Sequence, residues 1–582
     1  MSFSGNFVSV FPSLPNEESW GKIRQERKKM DTVKLPLGIS SFDDIRKDGR
    51  LFIDKTPLIE EILAKGYGVF LFTRPRRFGK TLAMSMLSSF FDVSKDSRKL
   101  FDGLKISGNR ELCDKWMNRY PTILVSFKSV DGLDFNAALD SLKDIIFNLF
   151  CSYSFLLESD RVLPALKRKF SIILDGTSTV SDIKGSLGLL VRMLSSHYGE
   201  KVILLIDEYD VPMAKASSRG YYDEMIDVMR SLLQALKDND YLKFSVITGC
   251  LRIAKESIFT GLNNVYCNTV TSTAYDEYFG FTGKEVTDTF CSLGFENRLD
   301  DVKEWYDGYH FGNEDIYCPW DVIHYLDSLF DNPDAKPKNY WTNTSSNDIV
   351  KSFISGGRRS MFDNLDTLLS GGSITKVIDE NITYDYLHST DNNIWSVLLM
   401  TGYLTTTEEA NGYPLSSDEV NLRVPNREIM SIFSTSLSKW VTEVSRKADL
   451  SGLSAALWTG DTETISIEMT KILNETISYH DIWHEDAYHL FFDGLFRGMG
   501  YRVESNREYG MGRPDIVVSD DMRTKVAVFE LKGADETIRK ASNQIEEKKY
   551  ADGLTESSLI MCYAVRFSEK SAEVRLTERI QK

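Results

Sequence analysis

Two groups of charged residues have the types and spacing to act on phosphates. The first is RPRRFGKT, from Arg74 to Thr81, lying between the apolar run GVFLFT and the amphipathic segment TLAMSMLSSFF. Strand, tight loop and helix N-terminus is the context a phosphate-binding loop needs, because backbone N–H groups and the helix dipole then converge on the anion. In that reading Gly79 shapes the loop, Arg74, Arg76 and Arg77 surround the phosphates, Lys80 neutralises the β and γ phosphates, and the Thr81 hydroxyl binds Mg²⁺. Arg74 stands where the GxxxxGK(S/T) pattern has its first glycine, so a basic loop with a chance GKT is the alternative. The second part of the same group is KVILLIDEYD, residues 201–210. A carboxylate ending a buried parallel strand lies beside such a loop. Asp207 is expected to hold Mg²⁺, and Glu208 to orient or deprotonate an attacking water. A further run, YLKFSVIT, ends at Thr248 and is followed by Arg252. Thr248 either caps the strand or senses the γ-phosphate, and Arg252 either lies on the surface or reaches the phosphates.

The other group is RPDIVVSDDMRTKVAVFELKGA, residues 513–534. Its two β-rich runs flank the polar turn DDMRT. If the hairpin closes symmetrically between Met522 and Arg523, Ser519 faces Val526, Val517 faces Val528 and Asp515 faces Glu530. Lys532, two residues beyond Glu530, shares that face. Two carboxylates and an ammonium then converge, a set suited to metal-dependent phosphodiester cleavage. Asp515 and Glu530 are expected to ligate Mg²⁺ through hard oxygens, and Lys532 to stabilise the nucleophile or the transition state. Glu485, at helical spacing with Tyr488, Phe492 and Leu495, puts a carboxylate on the apolar stripe of a preceding helix.

The elements that must hold these residues follow from periodicity. GVFLFT, PTILVSF, KVILLI and YLKFSVIT are short, continuous and rich in β-branched or aromatic residues, as strands buried on both faces of a parallel sheet are. Helix-length segments separate them. The expected fold class is α/β. A mostly parallel nucleotide-binding sheet over residues 35–274 follows a solvated arm (1–34). A mainly helical middle (275–474) leads to a C-terminal α/β region (475–582). Tyr306, Tyr309, His310 and Phe311 in EWYDGYHFG read as packing and turn residues against the first of these.

The 582 residues carry 69 Lys and Arg against 85 Asp and Glu, a net charge of −16. Such a chain has no global footprint for nucleic acid, so any contact needs a local basic groove, for which Arg502, Arg507, Arg513 and Lys525 are candidates. The seven cysteines are scattered with no CxxC spacing, which argues against a zinc site or a disulfide framework. No run is long enough to span a bilayer and the N-terminus lacks a secretory pattern, so no membrane contact and a cytoplasmic location are expected. Assembly into a homo-oligomer is compatible with the sequence.

LPLGISSFDDIRKDGRLFIDKTPLIEEIL, RPRRFGKT, LLIDEYD, TGCLRIAKESIFTGLNN and EWYDGYHFG together resemble the predicted AAA-ATPase-like proteins of bacteria and archaea, which usually carry a C-terminal domain of the PD-(D/E)XK nuclease superfamily. The resemblance covers nearly the whole chain from about residue 35. It implies that the arginine-rich loop without a first glycine is a family trait, that the P-loop NTPase binds ATP with Mg²⁺, that the C-terminal fold is restriction-endonuclease-like, and that Glu485 completes its metal site. Two functions follow as expectations. One is an ATPase coupled to a metal-dependent nuclease acting on nucleic acid, DNA first. The other is a nucleotide-dependent switch whose C-terminal domain only binds DNA or a protein.

Overall fold

The computed structural model describes residues 33–582 apart from 238, 253–264, 342–349, 351–363, 366, 382–390, 408–418, 447–448, 477–484, 506–507 and 569–570. The expected N-terminal arm therefore lies outside the described residues except for 33 and 34. Five parallel strands, β1 (Val69–Thr73), β2 (Thr122–Ser126), β3 (Val202–Asp207), β4 (Leu242–Gly249) and β5 (Val265–Asn268), form one sheet in the order β2-β3-β4-β1-β5. The four apolar runs give the first four. All six residues of β3 and all five of β1 are buried, as strands covered on both faces require. Because β4 lies between β1 and β3, the tips of these three strands stand side by side. Helix α1 (Lys80–Phe91) leaves β1 after a six-residue loop and packs Met84, Leu87, Phe90 and Phe91 under the sheet beside Phe70 and Phe72.

The middle of the chain is mainly helical and also holds two small antiparallel sheets. Strands β6 (Phe281–Thr282), β7 (Tyr309–Phe311) and β8 (Glu314–Tyr317) pair in the order β6-β8-β7, and helix α2 (Pro319–Asp331) follows. Strands β9 (Ile374–Val377), β10 (Thr405–Thr407) and β11 (Glu419–Arg423) pair in the order β10-β11-β9 and lead into α3 (Arg427–Ser445). The EWYDGYHFG residues do pack on the first region: Tyr309 stands edge-on to Phe78 at 4.9 Å and Phe311 lies 5.1 Å from it.

At the C-terminus, α4 (Glu485–Gly498) precedes a mixed sheet of β12 (Arg502–Ser505), β13 (Ile516–Ser519), β14 (Lys525–Lys532), β15 (Leu559–Ser568) and β16 (Ser571–Gln581), in chain order, with α5 (Ile538–Lys548) between β14 and β15. Only the β14–β15 pair is parallel, because α5 supplies the crossover that a parallel connection needs. Ser519 pairs with Val526 and Val517 with Val528, the register of a symmetric hairpin. The two faces of this sheet enter different cores. Val517, Val526 and Val528 pack with Ala541, Ile545 and Tyr550, whereas Ile516, Val518, Ala527 and Phe529 join the large core that runs back through the middle of the chain.

Candidate functional site

The loop from Arg74 to Gly79 is shaped by its own backbone. Gly79 caps α1 at φ +82°, a left-handed conformation that an L side chain adopts only under strain, although a Cβ there would meet no neighbour. Lys80 opens the helix and is nearly fully buried. Its ammonium donates to the carbonyls of Arg74 and Pro75, both at 3.0 Å, and lies 3.4 Å from Glu208 Oε1. Burial alone would lower the Lys80 pKa, but its neighbours raise it above the ordinary lysine range. Burial also pushes the Cys250 thiol, 3.6 Å from Lys80 Nζ, up to about 12, so at neutral pH the carboxylates of Glu208, Asp210 and Asp207 hold the charge on Lys80.

Asp207, at the tip of β3, accepts hydrogen bonds from Thr81 Oγ1 at 2.9 Å, Ser126 Oγ at 3.2 Å and Thr248 Oγ1 at 2.7 Å. Burial nonetheless raises its pKa. The strand order explains Thr248: β4 is wedged between the loop strand and β3, so its terminal hydroxyl meets the carboxylate. Glu208 follows at φ +53°, a conformation costing a non-glycine residue about 1–2 kcal/mol. Backbone strain of this kind is characteristic of residues held for function. Asp210, also buried, accepts from the N–H groups of Cys250 and Leu251, both at 3.0 Å, which pins the chain leaving β4. Arg252 lies near Cys267 of β5 and opposes the burial-driven rise of that thiol's pKa.

Arg74 differs from the expectation that it faces phosphate. Its guanidinium is fully buried and donates to the carbonyls of Thr73 (2.9 Å), Asn268 (3.2 Å) and Tyr275 (3.2 Å) and to Asn268 Oδ1 (2.5 Å), with the Phe279 and Phe311 rings 5.2 and 5.6 Å away. Burial pushes its pKa down to about 9, against the pull of Asp276, so it stays a cation at neutral pH. Where other phosphate loops have a glycine, this chain has a side chain that ties the loop to β5. Arg77, at φ +73°, lays its guanidinium 3.9 Å above the Trp320 ring at the start of α2. Arg76 is half-buried beside this group.

At the C-terminal hairpin, Asp515 Oδ2 accepts from the N–H of Leu531 at 2.6 Å. Glu530 is fully buried and receives Lys532 Nζ at 3.2 Å on one oxygen and the Tyr550 hydroxyl at 3.0 Å on the other. Lys532 also donates to the carbonyl of Leu531 at 2.7 Å. Burial, and then the charge of Asp515, push Glu530 up to about 7 against the pull of Lys532. Asp515, Glu530 and Lys532 thus share the sheet face covered by α5. Glu485 opens α4, and its side chain lies outside the described structure; the same holds for Arg507. From α4, His489 donates its Nε2–H to the carbonyl of Asp515 at 2.7 Å. Of the cations expected to make a positive field, Arg513 pairs with Glu508 and Arg502 with Glu504, while Lys525 stands exposed.

Residues 36–259 match the model of the predicted AAA-ATPase family, and residues 483–575 match that of the PD-(D/E)XK nuclease superfamily. The chain joins an AAA-ATPase-like region to a PD-(D/E)XK nuclease superfamily region. Over 569 residues it is also 26% identical to an uncharacterized protein in the vnfD 5' region of Azotobacter chroococcum mcd 1, covering 94% of this chain and 98% of that one.

In the AAA-ATPase-like region, Thr81 and Asp207 offer hard oxygens to a divalent ion beside the Lys80 ammonium, so the residues fit Mg²⁺ with a bound nucleotide. In the nuclease-superfamily region, two carboxylates on one face, with Glu530 pushed up first by burial and then by the charge of Asp515, fit a single divalent ion that would offset both. Among the described residues, no group of three or more His, Cys, Asp and Glu side chains is arranged to hold a metal. Sequence reasoning missed Ser126, Asp210 and Tyr550. Asp210 was visible in the DEYD string, whereas Ser126 and Tyr550 reach their sites only through strand order and the α5 crossover. Arg74→Ala is expected to cost about 2–4 kcal/mol of stability by leaving buried carbonyls without donors, a loss read in thermal denaturation; an unchanged melting temperature would contradict the anchoring role.

Proposed function

We propose that the chain is an ATPase coupled to a metal-dependent nuclease acting on nucleic acid. ATP with Mg²⁺ binds at Gly79, Lys80, Thr81 and Asp207, and DNA is the first candidate substrate of the Asp515, Glu530 and Lys532 site. The observation that carries the reading is that each region closes its own acid–base group: Thr81 on Asp207 with Lys80 beside Glu208, and Lys532 on Glu530 opposite Asp515. At the first group, Lys80 neutralises phosphate charge, Thr248 and Ser126 fix the rotamer of Asp207, and Glu208 takes the proton of the attacking water. At the second, Asp515 and Glu530 would hold the divalent ion, which when bound polarises the phosphodiester and acidifies a water. Lys532 stands beside them to stabilise the negative charge that develops on phosphorus-bound oxygens. Tyr550 holds Glu530 in place.

A cytoplasmic location accords with seven free cysteines. Among the described residues no helix is long and apolar enough to cross a membrane. The nucleotide half is tested by Glu208→Gln, which should keep ATP affinity and reduce turnover about a hundredfold or more through loss of the base. Phosphate release at the wild-type rate would remove Glu208 from that role.

A further inference from the structure

The loop that should receive the nucleotide is gripped by the middle of the chain at three residues. Pro75 abuts Gly402 so closely that a Cβ on that glycine would lie 2.8 Å from Pro75 Cβ. Phe78 is enclosed by Tyr309 and Phe311. Arg77 lies over Trp320; the next residue, Asp321 of α2, and Glu428 of α3 are both buried, and each acts on the other's ionisation. Glu428 is fixed there because its Oε1 accepts the backbone N–H of Trp341 at 2.8 Å as well as that of Tyr340. Arg77 is therefore the cation facing a buried acidic pair, and both carboxylates act on its charge.

Helix α3 spans 19 residues from Arg427, about 28 Å at 1.5 Å per residue. Its far half lies against α4 with almost no space between the backbones. A Cβ on Gly494 would come within 2.7 Å of the Ser438 carbonyl, and one on Gly498 within 2.5 Å of Ser445 Cβ. Ser438 Oγ donates to Asp493 at 3.1 Å, and Thr442 Oγ1 to the Gly494 carbonyl at 3.1 Å. One turn before Asp493, His489 holds the backbone of Asp515. Tyr403, next to the Gly402 that abuts Pro75, lies 6.2 Å from Phe433 of α3, so one helix meets the phosphate-loop contact near one end and the helix that carries the Asp515 support at the other.

We propose that α3 couples the two sites, with Arg77 and Trp320 as its nucleotide end and His489 as its carboxylate end, so that nucleotide binding resets the backbone bearing Asp515. The proposal rests on the ATP-binding reading. Phosphate oxygens and the Trp320 ring with its acidic pair compete for one guanidinium, which supplies two discrete arrangements for α2 and α3 to follow. In this scheme Trp320 and Glu428 are positioning residues that act through Arg77.

The test is hydrogen exchange read by mass spectrometry on the full chain, with and without saturating ATP and Mg²⁺. In the wild type, ATP should change exchange across 486–498 and 526–532 by at least about fivefold, the lower end of usual coupling strengths. Trp320→Leu should still bind ATP and lose that change. Glu428→Gln, which keeps an oxygen for the Trp341 N–H while removing the charge, should do the same and covers the case in which Trp320→Leu does not fold. ATP binding without any exchange change in those segments, or a change that persists in both variants, would overturn the coupling. A wild type that binds no ATP would remove the nucleotide reading itself, and the coupling with it.

Discussion

Replacing Lys80 by alanine is expected to weaken ATP-Mg²⁺ binding about ten- to hundredfold, the loss of one charge-assisted phosphate contact worth about 1.5–3 kcal/mol. The surroundings of Lys80 place the loss at the upper end of that range. Its ammonium is the cation among Glu208, Asp207 and Asp210, all at the phosphate end of the sheet. Without it, the loop would offer an incoming triphosphate a set of buried carboxylates with less to offset their repulsion. Isothermal titration with ATP-Mg²⁺ reads the change directly, and Lys80→Ala with wild-type affinity would sink the assignment of this loop.

The second large effect concerns the C-terminal carboxylates. Glu530 is pushed up to about 7 from an ordinary 4.5. A carboxyl whose pKa is raised on folding binds more protons in the native state than in the unfolded one, so stability falls as pH rises between about 4.5 and 7 and stays lower above. In chelator, the melting temperature of the C-terminal region should therefore drop across that window. Glu530→Gln should flatten the drop, because the amide never ionises. Mn²⁺ or Mg²⁺ should raise the melting temperature at pH 8; at a hundred times the dissociation constant the stabilisation is about 2.7 kcal/mol. Asp515→Asn or Glu530→Gln should abolish that rise. A metal-dependent rise that persists in both variants would place the ion elsewhere, and no rise in the wild type would reduce this region to a structural hairpin.

What could be read from the sequence depended on how local the cause was. The hairpin around DDMRT was legible because two β-rich runs flank a short polar turn, and closing that turn symmetrically puts Val517 opposite Val528, as observed. Lys80 and Thr81 were legible because strand, loop and helix are contiguous in the chain, and Asp207 because it ends a continuous apolar run. The role of Arg74 was not, since its partners Asn268 and Tyr275 lie some two hundred residues away on β5 and beyond it. Nor was β5 itself, a four-residue strand whose VYCN sequence carries little apolar pattern. The sequence leaves Thr248 between capping and sensing, because only the strand order, with β4 between β1 and β3, turns its hydroxyl to Asp207. Tyr550 meets Glu530 because the turn after α5 adopts φ +49° at Lys549, a feature no propensity signals.

If a metal held by Asp515 and Glu530 cuts nucleic acid under nucleotide control, cleavage must depend on the ion, the carboxylates and ATP together. The most direct measurement follows cleavage of single- and double-stranded DNA and of RNA, in Mg²⁺ or Mn²⁺ and in chelator, with and without ATP, for the wild type, Glu530→Gln and Lys80→Ala. Divalent-dependent cleavage by the wild type, altered by ATP, is the expected result. Glu530→Gln should lose cleavage, whereas Lys80→Ala should keep it but no longer respond to ATP. No cleavage of any substrate by the wild type, or cleavage that survives Glu530→Gln, would contradict it.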